Sequence, residues 1–187
     1  TAHLGDVLYT FPIIENLKAK YPNSSIDFLC SSETEDFILL NKNIRNVYTL
    51  NHFFLNRKNI NFFIKIFFFL KQLFFLKRKL SKTHYDLALD FYPYYPNSVA
   101  YLKFFFNVKM ITSFMSSVFY QLSYIFVKSD FHELHIYDQY IHLFNSTFKI
   151  KYSGKLIYKK NYLGIDSVKI SSKKNVIIQP CSANSKR

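Results

Sequence analysis

The sequence predicts an α/β fold, a parallel sheet with flanking helices. Three observations predict it. Short aromatic and β-branched runs alternate with stretches of helical spacing, as in parallel strands joined by crossover helices. One run, Tyr85-Asp86-Leu87-Ala88-Leu89-Asp90-Phe91, is apolar between two carboxylates, as a strand covered on both faces reads. The chain also opens on Leu4-Gly5-Asp6-Val7, a glycine turn and an acidic residue leading into a helix. That pattern usually follows a buried strand. The chain begins at Thr1 without Met, so the first strand is expected upstream and missing here. In a Rossmann-like sheet the site lies at the carboxyl ends of the strands.

The elements follow in order. Val7, Leu8, Phe11, Ile14 and Leu17 have helical spacing, so residues 7–21 read as a helix with Asp6 as its N-cap. Pro12 lies past the first turn, which predicts a bend. Tyr21-Pro22-Asn23-Ser24 stops the helix, and residues 25–30 read as a strand. Residues 33–40 read as a short helix with acidic residues in its first turn, where the dipole favours them. Residues 46–50 are the next strand. Residues 97–106 and 133–148 read as helices, 108–113 as a strand, and 116–129 as a Tyr- and Phe-rich loop or short helix.

Residues 60–80 are the hardest to read. Phe and Leu dominate, Lys65 and Lys71 interrupt, and Lys77-Arg78-Lys79 closes the run. Three readings stay open: a crossover helix covering the sheet, a helix that also touches a membrane, and a true span. A central lysine costs a span about 2.5–3.5 kcal/mol.

The domain plan is one Rossmann-like domain over 1–150 and a polar connection over 151–173, with an edge strand near 155–158. Residues 174–187 are then the first strand and loop of a second, truncated domain. Asn175-Val176-Ile177-Ile178-Gln179 is that strand.

Composition bounds the function. The chain has 187 residues, enough for one domain and the start of another, and 49% are hydrophobic. Its 22 Phe and 15 Tyr, with Asn and Lys in excess, read as codon bias of an AT-rich genome before function. A formal net charge of +13 suits phosphates or anionic lipid. There is no aromatic RNA-binding strand signature and no zinc-finger spacing, so no nucleic-acid partner is expected. Cys30 and Cys181 form no disulfide framework, which fits a reducing cytosol. Asp86 and Asp90 are not read as a metal motif, nor are His132 and His135, so no metal and no cofactor are expected.

The ordered set of motifs resembles family 9 of the glycosyltransferases, the ADP-heptose:lipopolysaccharide heptosyltransferases. Gly5-Asp6-Val7 with Pro12 matches the family's opening loop and helix. Tyr21-Pro22 through Ile26-Asp27-Phe28 matches its next helix end and strand. Tyr85-Asp86-Leu87-Ala88-Leu89-Asp90 matches its "Tyr-Asp-Leu, small, Leu-Asp" strand. His135, Asp138 and Tyr140 match a helix before the linker, and Val176 through Lys186-Arg187 matches the donor domain's first strand and phosphate loop. The chain departs from the pattern at Gln179, Cys181 and Tyr92-Pro93-Tyr94-Tyr95-Pro96.

The resemblance implies the N-terminal, acceptor-side domain of a two-domain GT-B fold and inverting transfer of a heptose or other sugar. The donor is a nucleotide-sugar such as ADP-heptose; the acceptor is a lipopolysaccharide core or similar glycolipid. It implies Asp6 as catalytic base, Gly5 and Asp90 in the acceptor-side loops, and Ser182 and Lys186 on the donor phosphates. An Asp at a helix N-terminus is stabilised as its anion, so the plain alternative for Asp6 is a cap. The expected location is cytoplasmic and peripheral to the inner membrane, with the fragment inactive alone. The rival class is a non-catalytic, membrane-associated Rossmann-like binding or scaffold protein.

Overall fold

A computed structural model of the chain describes residues 4–51, 61–80, 83–91, 98–106, 108–115, 120–127 and 134–150. The elements in order are α1 (Leu4–Lys20), β1 (Asp27–Cys30), α2 (Glu35–Leu39) and β2 (Asn46–Thr49). They continue with α3 (Phe62–Leu80), β3 (Tyr85–Leu89), α4 (Ser98–Phe104), β4 (Val108–Phe114), β5 (Ile125–Val127) and α5 (Ile136–Phe148). The alternation of strands and helices is the one the sequence predicts, and every strand pair is parallel. This is a Rossmann-like α/β architecture.

The strands form two sheets, β1-β2 and β3-β4-β5. Asp27 pairs with Asn46 and Cys30 with Thr49. Leu89 pairs with Thr112, and Phe114 with Val127. Between the sheets lies a groove of about 1020 Å³, lined by all of β1 and β3 and by Thr10, Ile13, Ile14 and Leu17 of α1. Among the described residues, β1 and β3 each have one strand partner. Half of the backbone groups of such edges point away from that partner. The groove therefore has the place and the apolar lining for a strand leading into α1, whose right-handed crossover would set it beside β1.

Three apolar clusters hold the elements together. Val7, Phe11 and Ile14 of α1 pack on Cys30 and Ile38. Ile13 joins Phe114, Val127, Tyr140, Leu143 and Phe144. Leu73, Leu76 and Leu80 of α3 pack with Val99, Val108 and Ile111. Helix α1 thus buries one side against each sheet. It continues through the buried Pro12, whose carbonyl accepts from Asn16 Nδ2 at 2.9 Å.

Four expectations change. Helix α1 includes Leu4, so Asp6 lies within its first turn and is not its cap. Acidic residues suit both places for the same dipole reason, so local preference does not separate them. The loop over 116–129 contains a strand, β5, only three residues long. The last helix begins at Ile136, because His135 is extended and caps it. The span reading of 60–80 falls away: no described helix is long and apolar enough to cross a membrane. The expected connection and second domain, over 151–187, fall outside the described residues.

Candidate active site

The carboxyl ends of the strands gather the predicted acceptor-side residues. Helix α1 ends just before β1 begins, so it runs antiparallel to the strands and its first turn stands at their carboxyl ends. Helix α5 runs alongside it in the same direction. Tyr9 meets His135 and Tyr137 at one end, with ring centroids 5.3 and 5.6 Å apart, and Tyr21 meets Phe148 at 5.7 Å at the other.

Asp6 is half-buried in the first turn of α1, next to Val7, which is fully buried against Cys30 and Ile38. The free N–H groups of that turn favour its anion. Gly5 does not sit in a loop. It is helical and exposed, and an added Cβ would meet nothing within 4 Å. The predicted acceptor-side loop at Gly5 is therefore corrected: the helix starts earlier than a turn glycine suggests. The backbone there neither takes a positive φ nor approaches another part of the chain.

Asp90 follows β3 and is buried. Its N–H donates to Thr112 O at 2.9 Å, and its carboxylate accepts from Ser98 Oγ, on the first residue of α4. The surroundings are rich in hydroxyls. Ser113 and Ser123 share a hydrogen bond of 2.6 Å, while the buried hydroxyl of Thr112 has no hydrogen-bond partner among the described residues. Such groups are costly to leave unmatched. Cys30, at the end of β1, is buried, and that burial pushes its thiol up to about 11. At neutral pH it is a thiol and a poor nucleophile.

His135 contributes at the same edge. Its Nδ1 accepts the Tyr137 N–H at 3.2 Å, so in the neutral imidazole the proton sits on Nε2. The side chain is exposed and held edge-on by Tyr9. The sequence reading put it inside the helix over 133–148; its role as cap depends on the extended backbone at 135, which spacing does not reveal.

The opposite, amino ends carry a different carboxylate. Asp27 begins β1, with its side chain only 4% exposed. It accepts from Arg45 Nε at 2.9 Å and Nη2 at 2.8 Å, from Asn46 Nδ2 at 3.1 Å, and from Tyr85 Oη at 2.7 Å. Burial works to raise its pKa, but these donors and the guanidinium charge outweigh it and hold the carboxyl below its ordinary value. Tyr85 is pushed up in turn, by burial and by the neighbouring carboxylate. The Asp27–Tyr85 bond crosses from one sheet to the other. Sequence reasoning missed this network because its members lie 18, 19 and 58 residues apart.

Ser182 and Lys186 lie outside the described residues. Among the described residues no group of three or more His, Cys, Asp or Glu is arranged to hold a metal ion.

With this geometry in place, known structures can be compared. The chain is similar to a solved structure described as "The crystal structure of the glycosyl transferase family 9 from Veillonella parvula DSM 2008", with a TM-score of 0.60 and 20% identity. The match covers 77% of this chain and 38% of that one, so this chain spans well under half of the relative's length. At that identity the likeness establishes the fold. No family model matches the chain, and no curated protein does.

Proposed function

We propose that the chain is the acceptor-side domain of an inverting glycosyltransferase of the two-domain GT-B type. The substrate pair is a nucleotide-sugar such as ADP-heptose and a lipopolysaccharide core or similar glycan, met at the cytoplasmic face of the inner membrane. The observation that carries the reading is the likeness of the fold to a glycosyl transferase family 9 structure. Asp6 supports it by standing in the first turn of α1, at the sheet end where such folds hold ligands.

In this reading the Asp6 carboxylate takes the proton of the acceptor hydroxyl. The freed oxygen pair attacks the anomeric carbon from the face opposite the leaving group. The bond from that carbon to the diphosphate oxygen breaks, and the nucleoside diphosphate leaves with its electrons. Ser182 and Lys186 of the second domain hold the departing phosphates, where a hydroxyl donor and a cation lower the barrier. Asp90 and the hydroxyls around it face acceptor groups. A base in the first turn of a helix is a weak one, and closure of the cleft must raise its pKa for efficient transfer.

The test uses the protein with both ends restored. Transfer from ADP-heptose to lipopolysaccharide core, with the product's anomeric configuration read by NMR, should show inversion. Failure to transfer from any nucleotide-sugar overturns the reading. Near-full activity of Asp6→Asn removes Asp6 as the base.

A further inference from the structure

Helix α3 is buried along one narrow stripe, Leu73, Leu76 and Leu80, all in its C-terminal half. Its exposed surface is dominated by Phe, with Lys65 and Lys71 between them. Phe63, Phe67, Leu70 and Phe74 recur at helical spacing as one outward stripe, at 76%, 64%, 50% and 66% exposure. An apolar stripe on the helix of a globular protein ordinarily faces its core. The Gln72 side chain accepts from the Asn51 N–H at 2.9 Å, which fixes the middle of α3 level with the end of β2. The helix runs antiparallel to the strands, so the ten residues before Gln72 extend about 15 Å past their carboxyl ends. The exposed aromatic stripe stands on the same side as Asp6 and Asp90.

Charge selects the partner. No acidic residue occurs between Asp36 and Asp86, while Lys71 lies among the exposed phenylalanines and Lys77-Arg78-Lys79 ends the helix. Exposed Phe104, the last residue of α4, and Phe105 just after it extend the patch, with Lys77 Nζ lying 5.7 Å from the Phe105 ring centroid. Aromatic side chains at the acyl boundary with lysine stems reaching back to phosphate form the pattern of an interfacial helix. We propose that α3 and the end of α4 form a docking surface for an anionic lipid bilayer. The helix lies in the interface and does not cross it. This surface presents the carboxyl-end site to membrane-borne molecules, and it is independent of the sugar-transfer reading.

Co-sedimentation of the chain with vesicles tests it. Vesicles of phosphatidylglycerol and phosphatidylethanolamine should carry the chain down. Pure phosphatidylcholine should bind at least tenfold less, and high salt should weaken the anionic binding. The triple change Phe63→Ser, Phe67→Ser, Phe74→Ser touches only exposed positions and should abolish binding while leaving the melting temperature within a few degrees. Lys77→Glu with Arg78→Glu should lower binding at least tenfold. Failure of the unaltered chain to bind anionic vesicles overturns the proposal. So does concentration-dependent dimerisation that the triple change abolishes in the absence of lipid, because the patch then covers a second copy. Neither result bears on transfer activity.

Discussion

The two ends of the sheet each carry a carboxylate that the sequence marks, and they are built differently. Asp27, at the amino ends, is enclosed by a guanidinium, an amide and a phenol and joins the two sheets. Asp6, at the carboxyl ends, is half-buried in the first turn of a helix. The first arrangement fixes a charge by satisfying it. The second places a carboxylate in the first turn of a helix, where the dipole favours its anion. A carboxylate with four strong donors is a poor base, because each donor must be lost when it takes a proton. The contrast sets a carboxylate that joins the two sheets against the one we propose as the base.

The largest expected effect concerns the groove between the sheets. Appending an apolar strand of about six residues ahead of Thr1 should stabilise the chain by roughly 5 kcal/mol, from about three inward side chains at 1.5–3 kcal/mol each. Urea unfolding measures the gain, and amide exchange should slow at 27–30 and 85–89. Unchanged exchange there would show that the groove takes no strand, leaving the Asp27–Tyr85 bond and the packing of α1 and α3 to join the sheets.

Next is Asp27→Asn, which should cost about 2 kcal/mol as the charge-assisted bonds weaken. The pH dependence has a definite sign. The folded pKa lies below the unfolded value of about 3.9, so the contribution is complete above about pH 4. It is lost as pH falls from there through the folded value. The unaltered chain should therefore lose stability below pH 4 more steeply than Asp27→Asn. Parallel acid melting curves would mean that Arg45 does not act on this carboxylate in solution.

Lys186→Ala, in the restored protein, should weaken nucleotide-sugar affinity about tenfold, or ~1.4 kcal/mol. Calorimetric titration reads it directly, and unchanged affinity removes the phosphate role. Gly5→Ala should have the smallest effect, a stabilisation of about 0.5–1 kcal/mol, because Gly5 is helical with open space beside it. A loss of activity in that variant would show that a ligand needs the space that a Cβ fills.

The sequence makes the alternating plan legible because buried strands such as Tyr85–Leu89 and helices such as α5 write their periods locally. It does not reveal β5, since three residues show no period. Nor does it separate an N-cap from a first turn at Asp6, because the helix dipole rewards an acid at both. The Asp27 network was illegible for another reason: its donors come from residues far apart in the chain, and register brings them together. The sequence reading already singles out Asp6 and Asp90, which lie in the first turn of α1 and after β3, whereas the bonds of Ser98 to Asp90 and of the Asp90 N–H to Thr112 O needed the fold.

The central claim, that the carboxyl ends hold the chemistry and the amino ends hold the fold, is tested by measuring kcat of Asp6→Asn against Asp27→Asn. Both are made in the restored protein and assayed well below either melting temperature. Loss of a general base predicts a fall of about 10²–10⁴-fold for Asp6→Asn, with its melting temperature unchanged. Asp27→Asn should melt lower and turn over within a few-fold of the unaltered enzyme. A large loss of turnover in Asp27→Asn with near-full activity in Asp6→Asn would contradict the account.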